Sequence, residues 1–383
     1  VPSENILLEA KSPLQASIHH FGPDTTLSEG QILVHVEKFV LTANSLTYAV
    51  GGNSPPAYFK HFPVPAEVPD ASKYRRSPVW GSGIVRASRC QGVAEGTRIF
   101  GFFPMSPTVI MSPVKVRSTT FVDGTPARAK LMELYTTYRT SEDPFYKGLT
   151  TDEQYFQMAD GSLFSTGWAA SQCAVMDPAA PELMLVTSAS SRTAYAAGFS
   201  SKFHKDNIKV IGLTSASNVQ FTKGLGFYDE VYSYEDVQAI DRLKVTIYDF
   251  AGNVSLLQAI YKHFGDKVAS CHLVGFTHVT GLLTDLKSLG SPAPAFWTVW
   301  DGMQSLWKQQ GRDPINQALA AAQAAFKKQM FPFFRAVRQH GADHVLDTWN
   351  ATRRGEVLPG RVYVMSMWPK DTFKANDVPR SRL

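Results

Sequence analysis

The sequence is short of the features that mark the commonest specialised classes. It has three cysteines, Cys90, Cys173 and Cys271, far apart in 383 residues. An odd, widely spaced set argues against a disulfide framework and against a cysteine zinc knuckle, so these thiols read as small buried apolar residues. No apolar stretch approaches the roughly 18 residues that a membrane span needs. The 38 basic and 33 acidic residues are scattered, net +5, with no basic run long enough for a nucleic-acid footprint. No Gly-x-Ser-x-Gly elbow occurs, which weakens a hydrolase reading. The opening VPSENILLEAKSP lacks a starting Met and the basic-then-apolar layout of a secretory signal. It is read as a trimmed start of a soluble protein of the cytoplasm or an organelle interior.

What is present is core material. Hydrophobic residues make up 44%, charged residues only 19%, and there are 24 Phe, 14 Tyr and 7 Trp. That composition excludes a disordered chain, and the length is well beyond a single domain of about 100–150 residues, so two domains are expected.

Residues 15–120 read as short strands between turns: Gln31–Glu37, Gly83–Val85, Arg98–Phe100 and Val109–Met111. Residues 51–79 carry six prolines and several aromatics and read as a long, ordered, functional loop. Helical periods are expected over Ala127–Thr137 and Tyr155–Val175. Strands and helices then alternate: strand Leu183–Thr187, helix Arg192–Phe203, strand Ile208–Leu213, helix Asn218–Gly224, strands Val231–Tyr232 and Val245–Asp249, helix Val254–Phe264, strand Ala269–Gly275. This alternation implies a parallel sheet covered on both faces. Asp313 is expected to cap a helix with Pro314 at its first position, carrying Ile315, Leu319, Ala322, Phe326 and Met330 on one face. Arg361–Met367 reads as a closing strand, and the tail has no apolar period.

This order resembles the medium-chain dehydrogenase/reductase superfamily, in its zinc-free quinone and enoyl reductase branch. GQILVHVEKFVLTANSLTYAVGG, GVAEGTRIFGFFP and ELMLVTSASSRTAYAAGFSSK followed by KVIGLTSASN carry the resemblance. A closer match, on LTANSLTYA, YFKHFP, VWGSGIV and RIFGFFPMS, is to a poorly characterised family of unknown function within or beside that superfamily. The resemblance implies an α/β fold with a GroES-like β-rich domain and a Rossmann-like doubly wound sheet. The implied division is 1–135 for the first GroES-like part, 136–310 Rossmann-like, 311–369 returning to the first domain, and 370–383 a disordered tail.

Two departures bear on chemistry. Zinc-dependent members carry Gly-His-Glu where this chain has Val79-Trp80-Gly81, and they carry a four-cysteine lobe that is missing here. No metal is therefore expected. A phosphate loop needs a tight turn whose backbone N–H groups meet a diphosphate, with glycines allowing close approach. Here the turn reads Thr187-Ser188-Ala189-Ser190-Ser191-Arg192-Thr193-Ala194, without glycine. Hydroxyls and a guanidinium are the alternative grip; the competing reading is a scaffold that no longer binds a dinucleotide. No carboxylate ends the second strand, which favours NADP over NAD. Ser215, Asn218 and Arg192 or Lys223 are candidates for its 2′-phosphate, against an ordinary cap cluster.

By resemblance, Asn44 and Tyr48 lie in the loop facing the nicotinamide, with Tyr48 as proton or hydrogen-bond donor and Asn44 fixing the loop. His61 is the histidine to test as acid or base. Trp80, Tyr58, Tyr135 and Arg139 are the substrate-binding candidates, Arg139 alternatively forming an ion pair. Gly252, after Asp249, permits close backbone approach to a cofactor. The function expected is a zinc-independent NADPH-linked reductase of an activated C=C or C=O in an apolar acyl or polyketide-like small molecule. The alternatives are a cofactor-independent lyase or C–C hydrolase, or a non-catalytic binding protein. The chain is expected as a monomer or homodimer.

Overall fold

The computed structural model describes residues 3–22, 26–54, 56–275, 288–370 and 372. Nearly all of the tail expected to be disordered lies outside the described residues. The chain divides into two compact units, Val1–Ala159 with Phe334–Leu383, and Asp160–Phe333.

The first unit begins with β1 (Glu4–Glu9), β2 (Ala16–His20), β3 (Ile32–Leu41), α1 (Ala43–Val50), β4 (Tyr74–Arg75), β5 (Pro78–Ser88) and β6 (Arg98–Pro104). It continues through β7 (Thr108–Met111), β8 (Pro113–Val114), β9 (Thr120–Asp123), α2 (Glu133–Thr136), β10 (Thr137–Thr140) and α3 (Thr151–Phe156). The second unit holds α4 (Ser162–Val175), β11 (Leu183–Val186), α5 (Arg192–His204), β12 (Lys209–Thr214), α6 (Val219–Leu225) and β13 (Glu230–Ser233). After these come β14 (Val245–Asp249), α7 (Val254–Phe264), β15 (Val268–Leu273), β16 (Ala295–Phe296), α8 (Val299–Gln310) and α9 (Arg312–Met330). The chain then returns to the first unit with β17 (Arg335–His340), α10 (Ala342–Arg353) and β18 (Arg361–Ser366).

In the β-rich unit the main sheet runs β17-β18-β3-β5-β6-β10-β9-β8, with β7 also on β3 and a small sheet β2-β1-β4. Apart from the parallel pair β17–β18, its ladders are antiparallel. β3 is apolar on both faces and correspondingly buried at most positions. Its core includes Phe39, Phe103, Tyr138 and Trp349. The second unit is a parallel sheet in the order β13-β12-β11-β14-β15-β16, with Leu185, Ile211, Ile247, Leu257 and Phe264 in its core.

The strands and helices expected from Leu183 to Gly275 are present with ends moved by a residue or two. The strand Arg361–Met367 ends at Ser366. Three local expectations are corrected. The helix expected over Ala127–Thr137 is a single turn, Glu133–Thr136, because Arg128 turns inward to a buried ion pair with Asp123 and Leu134 stays exposed. The helix expected over Tyr155–Val175 starts earlier, at Thr151, where Thr150 and Glu153 form a capping box, and it widens into a π-helical turn over Gln157–Gly161. The cap of α9 is Gly311 at φ +87°, not Asp313, which sits inside the first turn with Pro314.

Candidate functional site

In the β-rich unit, α1 turns one face inward and buries Ser45, Leu46, Tyr48 and Ala49. Its entry is fixed where the Thr42 N–H donates to Ser45 Oγ at 3.3 Å. β5 and β6 pair with Trp80 opposite Phe102, so the two rings share a face at 4.5 Å between centroids. Trp80 Nε1 donates to the Tyr48 hydroxyl at 3.0 Å. The Tyr48 ring lies 4.6 Å from Tyr58 and 5.2 Å from Phe102. The Tyr58 and Tyr135 hydroxyls meet at 3.3 Å, and Tyr135 stacks on Phe102 at 5.0 Å. Gly52 leaves room for this loop, since a Cβ there would come within 2.3 Å of the Phe59 ring. Burial raises the Tyr48 phenol far above its ordinary pKa; the Trp80 and Asn44 hydrogen bonds offset this only in part. The phenol is therefore protonated at neutral pH.

His61 packs beside these rings, 5.6 Å from Phe102 and 5.9 Å from Tyr135. It is fully buried and neither ring nitrogen has a hydrogen-bond partner. Burial, then the nearby Arg128 charge, pushes its pKa down to about 4, so the ring is neutral at pH 7. Its carbonyl accepts from Arg128 Nη1 at 2.7 Å. Arg128 in turn pairs with Asp123 at 2.5 Å and lies over the Phe62 ring.

Asn44, Tyr48, Tyr58, His61, Trp80 and Tyr135 are thus one cluster, assembled from α1, the loop after it, β5 and α2. Arg139 is outside it. Its guanidinium meets both Asp143 carboxylate oxygens, at 3.2 and 3.1 Å, and lies over Phe145. Phe102, Asp123 and Arg128 were not singled out from the sequence. Phe102 could have been found from the alternation of RIFGFFP opposite Trp80; the buried pair carries no local signal.

In the parallel-sheet unit the strand order reverses between β11 and β14, and the loops after these two strands face each other there. Thr187 Oγ1 donates to Asp249 at 2.5 Å and accepts from the Phe250 N–H at 3.0 Å, strapping the two strand ends together. Asp249 also accepts from the Ala251 and Gly252 N–H groups at 3.2 and 2.9 Å, the latter turn closing through Gly252 at φ +69°. Burial nevertheless pushes Asp249 up to about 6. Ser188 takes the left-handed conformation, φ +51°, that a glycine would adopt more cheaply, and its backbone carbonyl accepts from Ser191 N at 2.7 Å. Ser190 Oγ accepts from Thr214 Oγ1 at 3.1 Å and Asn218 Nδ2 at 3.2 Å, which leaves its own proton to donate. Ser191 is the N-cap of α5, without a side-chain cap bond. Ser215 bonds Ser217 at 3.2 Å.

Arg192 does not project from this loop as an open cation. Its guanidinium pairs with the buried carboxylate of Asp160 and donates to the Tyr195 hydroxyl at 3.1 Å, while Tyr195 donates to Asp160 at 2.5 Å. The Thr193 carbonyl packs so close to α4 that a Cβ on Gly167 would reach it at 2.3 Å. Asp160 is a further residue the sequence did not single out. Among the described residues, no group of three or more His, Cys, Asp or Glu is placed to hold a metal ion, and no helix is long and apolar enough to cross a membrane.

The fold is shared with known structures. CurA from Vibrio vulnificus, in complex with NADPH, matches with a TM-score of 0.59 at 12% identity, covering 96% of this chain and 99% of that one. The CurF ER cyclopropanase from the curacin A biosynthetic pathway matches at 0.53 and 12%, covering 96% and 100%. A mutant form of an enoyl thioester reductase from Candida tropicalis matches at 0.52 and 12%, again covering 96% and 100%. At such identity the likeness is one of fold, and it establishes the α/β class with a β-rich domain and a parallel-sheet domain. No curated protein matches the sequence. Residues 39–358 match the family described as Protein of unknown function (DUF2855), and the chain belongs to that family.

Proposed function

We propose that this chain is a zinc-independent, NADPH-linked reductase of the medium-chain type, acting on an activated C=C or C=O of an apolar, acyl-like small molecule. The observation that carries the reading is the reversal of strand order where β11 and β14 end, because open α/β sheets bind their ligands at such a point. The fold likeness to a protein crystallised with NADPH supports it.

The loop residues fit a diphosphate by a route different from a glycine turn. Ser190 has a hydroxyl proton to donate, Ser191 and Thr193 open the helix whose first N–H groups lack intrahelical partners, and no carboxylate follows β12 to repel a 2′-phosphate. Arg192, engaged by Asp160, serves here by fixing the start of α5. Bound NADPH would supply the hydride. The chain's part is to deliver a proton and exclude water. Trp80 Nε1 can only donate, so the Tyr48 oxygen accepts from it and keeps its own proton for a developing enolate oxygen or the adjacent carbon. Tyr58, Trp80, Phe102 and Tyr135 supply the apolar wall. The loop's internal hydrogen bonds support the second reading, a lyase, C–C hydrolase or binding protein that no longer needs the nucleotide.

Titration with NADPH and NADH, followed by coenzyme fluorescence and by melting temperature, separates the two. Binding with preference for NADPH is expected; no change at millimolar coenzyme rejects the reductase. With a substrate in hand, Tyr48→Phe should cost about 10²- to 10³-fold in turnover, and unchanged turnover removes Tyr48 from the chemistry.

A further inference from the structure

Among the described residues of the β-rich unit, several buried polar side chains have atoms without partners, and Arg76 is the charged one that lacks an ion pair. It lies between β4 and β5, is 9% exposed, and donates from Nη2 to Ser106 Oγ at 2.6 Å. Its guanidinium also lies 5.8 Å from the Phe21 ring centroid. Nε is buried and has no partner. Among the described residues no carboxylate comes within ion-pair distance of it. The neighbouring cation, Arg128, is neutralised by Asp123, whose other oxygen already accepts from Ser112 N, Thr125 N and Thr125 Oγ1. Glu67 exerts a field on Arg76 but is itself exposed. His61 is neutral and adds no negative charge.

Arginine remains charged in proteins, so among the described residues this interior carries a positive charge without an ion-pair partner, an arrangement that is costly unless something compensates it. The group hydrogen-bonded to the guanidinium is a hydroxyl. Ser106 Oγ accepts from Arg76 and keeps its own proton, and Ser77 Oγ, on the next residue, is buried without a partner. Between Arg76 and Ser106, donors therefore exceed acceptors. A water bound there would need acceptors for its own two protons, whereas an anion needs none.

We propose that Arg76, with the Ser106 hydroxyl bonded to it, holds a small monovalent anion of halide or carboxylate-group size inside the β-rich unit. The site is independent of the reductase reading and of the coenzyme. In a crystal soaked in sodium bromide, an anomalous peak is expected within hydrogen-bonding range of the Arg76 guanidinium; a peak only elsewhere, or a water in that position, overturns the proposal. In solution, replacing bulky methanesulfonate by chloride, bromide or formate at constant ionic strength should raise the melting temperature by a few degrees. A response to formate alone assigns a carboxylate group, and one to the halides a halide. Arg76→Met should abolish the response, and the same melting temperature in every salt, or a response that survives in Arg76→Met, rejects the site. Should Arg76→Met fail to fold, Ser106→Ala retains the charge and should raise the half-saturating anion concentration about tenfold; no change there also rejects it.

Discussion

The two candidate regions treat their polar groups in opposite ways. In the loops after β11 and β14, Thr187 and Asp249 bond each other and nearby backbone, and Ser190 accepts from the Thr214 and Asn218 side chains. In the β-rich unit, His61, Arg76 and Ser77 are buried with atoms that bond nothing. A loop whose hydrogen bonds close on themselves keeps its shape without a ligand and can do without glycines, at the cost of one strained serine. A cluster with unengaged donors is what the proposed anion would complete.

The comparison breaks most readily at its charged members. Asp160→Ala leaves the Arg192 charge buried without its partner, and unfolding free energy from urea titration should fall by about 3–5 kcal/mol. A loss below about 1 kcal/mol would mean that the loop is not anchored through this pair.

Next in size are two opposed pH responses. His61 falls from 6.5 to about 4 on folding, so its contribution is present above 6.5 and is lost as pH drops towards 4. Asp249 rises from 3.8 to about 6, so its contribution is present below 3.8 and is lost as pH climbs through 6. Each amounts to about 3 kcal/mol at 1.36 kcal/mol per pH unit. Between pH 4 and 6 the two nearly cancel, so on acidification through that window His61→Phe should gain stability and Asp249→Asn should lose it, each relative to the unmutated protein. Parallel profiles for both variants would contradict the assignment.

The smallest effect expected is at Ser188. Ser188→Gly removes the left-handed strain, worth about 1–2 kcal/mol, but frees the unfolded chain and loses a hydrogen bond with Tyr234. The net change should stay within about 1 kcal/mol, whereas Ser188→Val should destabilise by more than that.

Much of the parallel-sheet unit was legible in the sequence, because apolar runs such as Leu183–Val186 and Val245–Asp249 alternate with amphipathic helices at fixed spacing. Tyr48 and Trp80 were singled out through resemblance and Tyr58 and His61 through the proline-rich loop, but no local pattern required that they meet one another and Tyr135. Arg139 and Arg192 show what was not legible. Each was weighed as an anion binder, and each finds a carboxylate, Asp143 four residues on and Asp160 on another helical turn. α2 is the same lesson for secondary structure, since an apolar period around Arg128 gave way to a buried charge pair.

By itself the sequence determined the alternation of strands and helices, the lack of glycine after β11 and the lack of a carboxylate after β12, since these are properties of neighbouring residues. Only the tertiary structure decided which hydroxyls and guanidinium groups are engaged and which are left over. A hydrogen bond or ion pair depends on residues far apart in sequence arriving within about 3 Å of each other, and no local pattern records that.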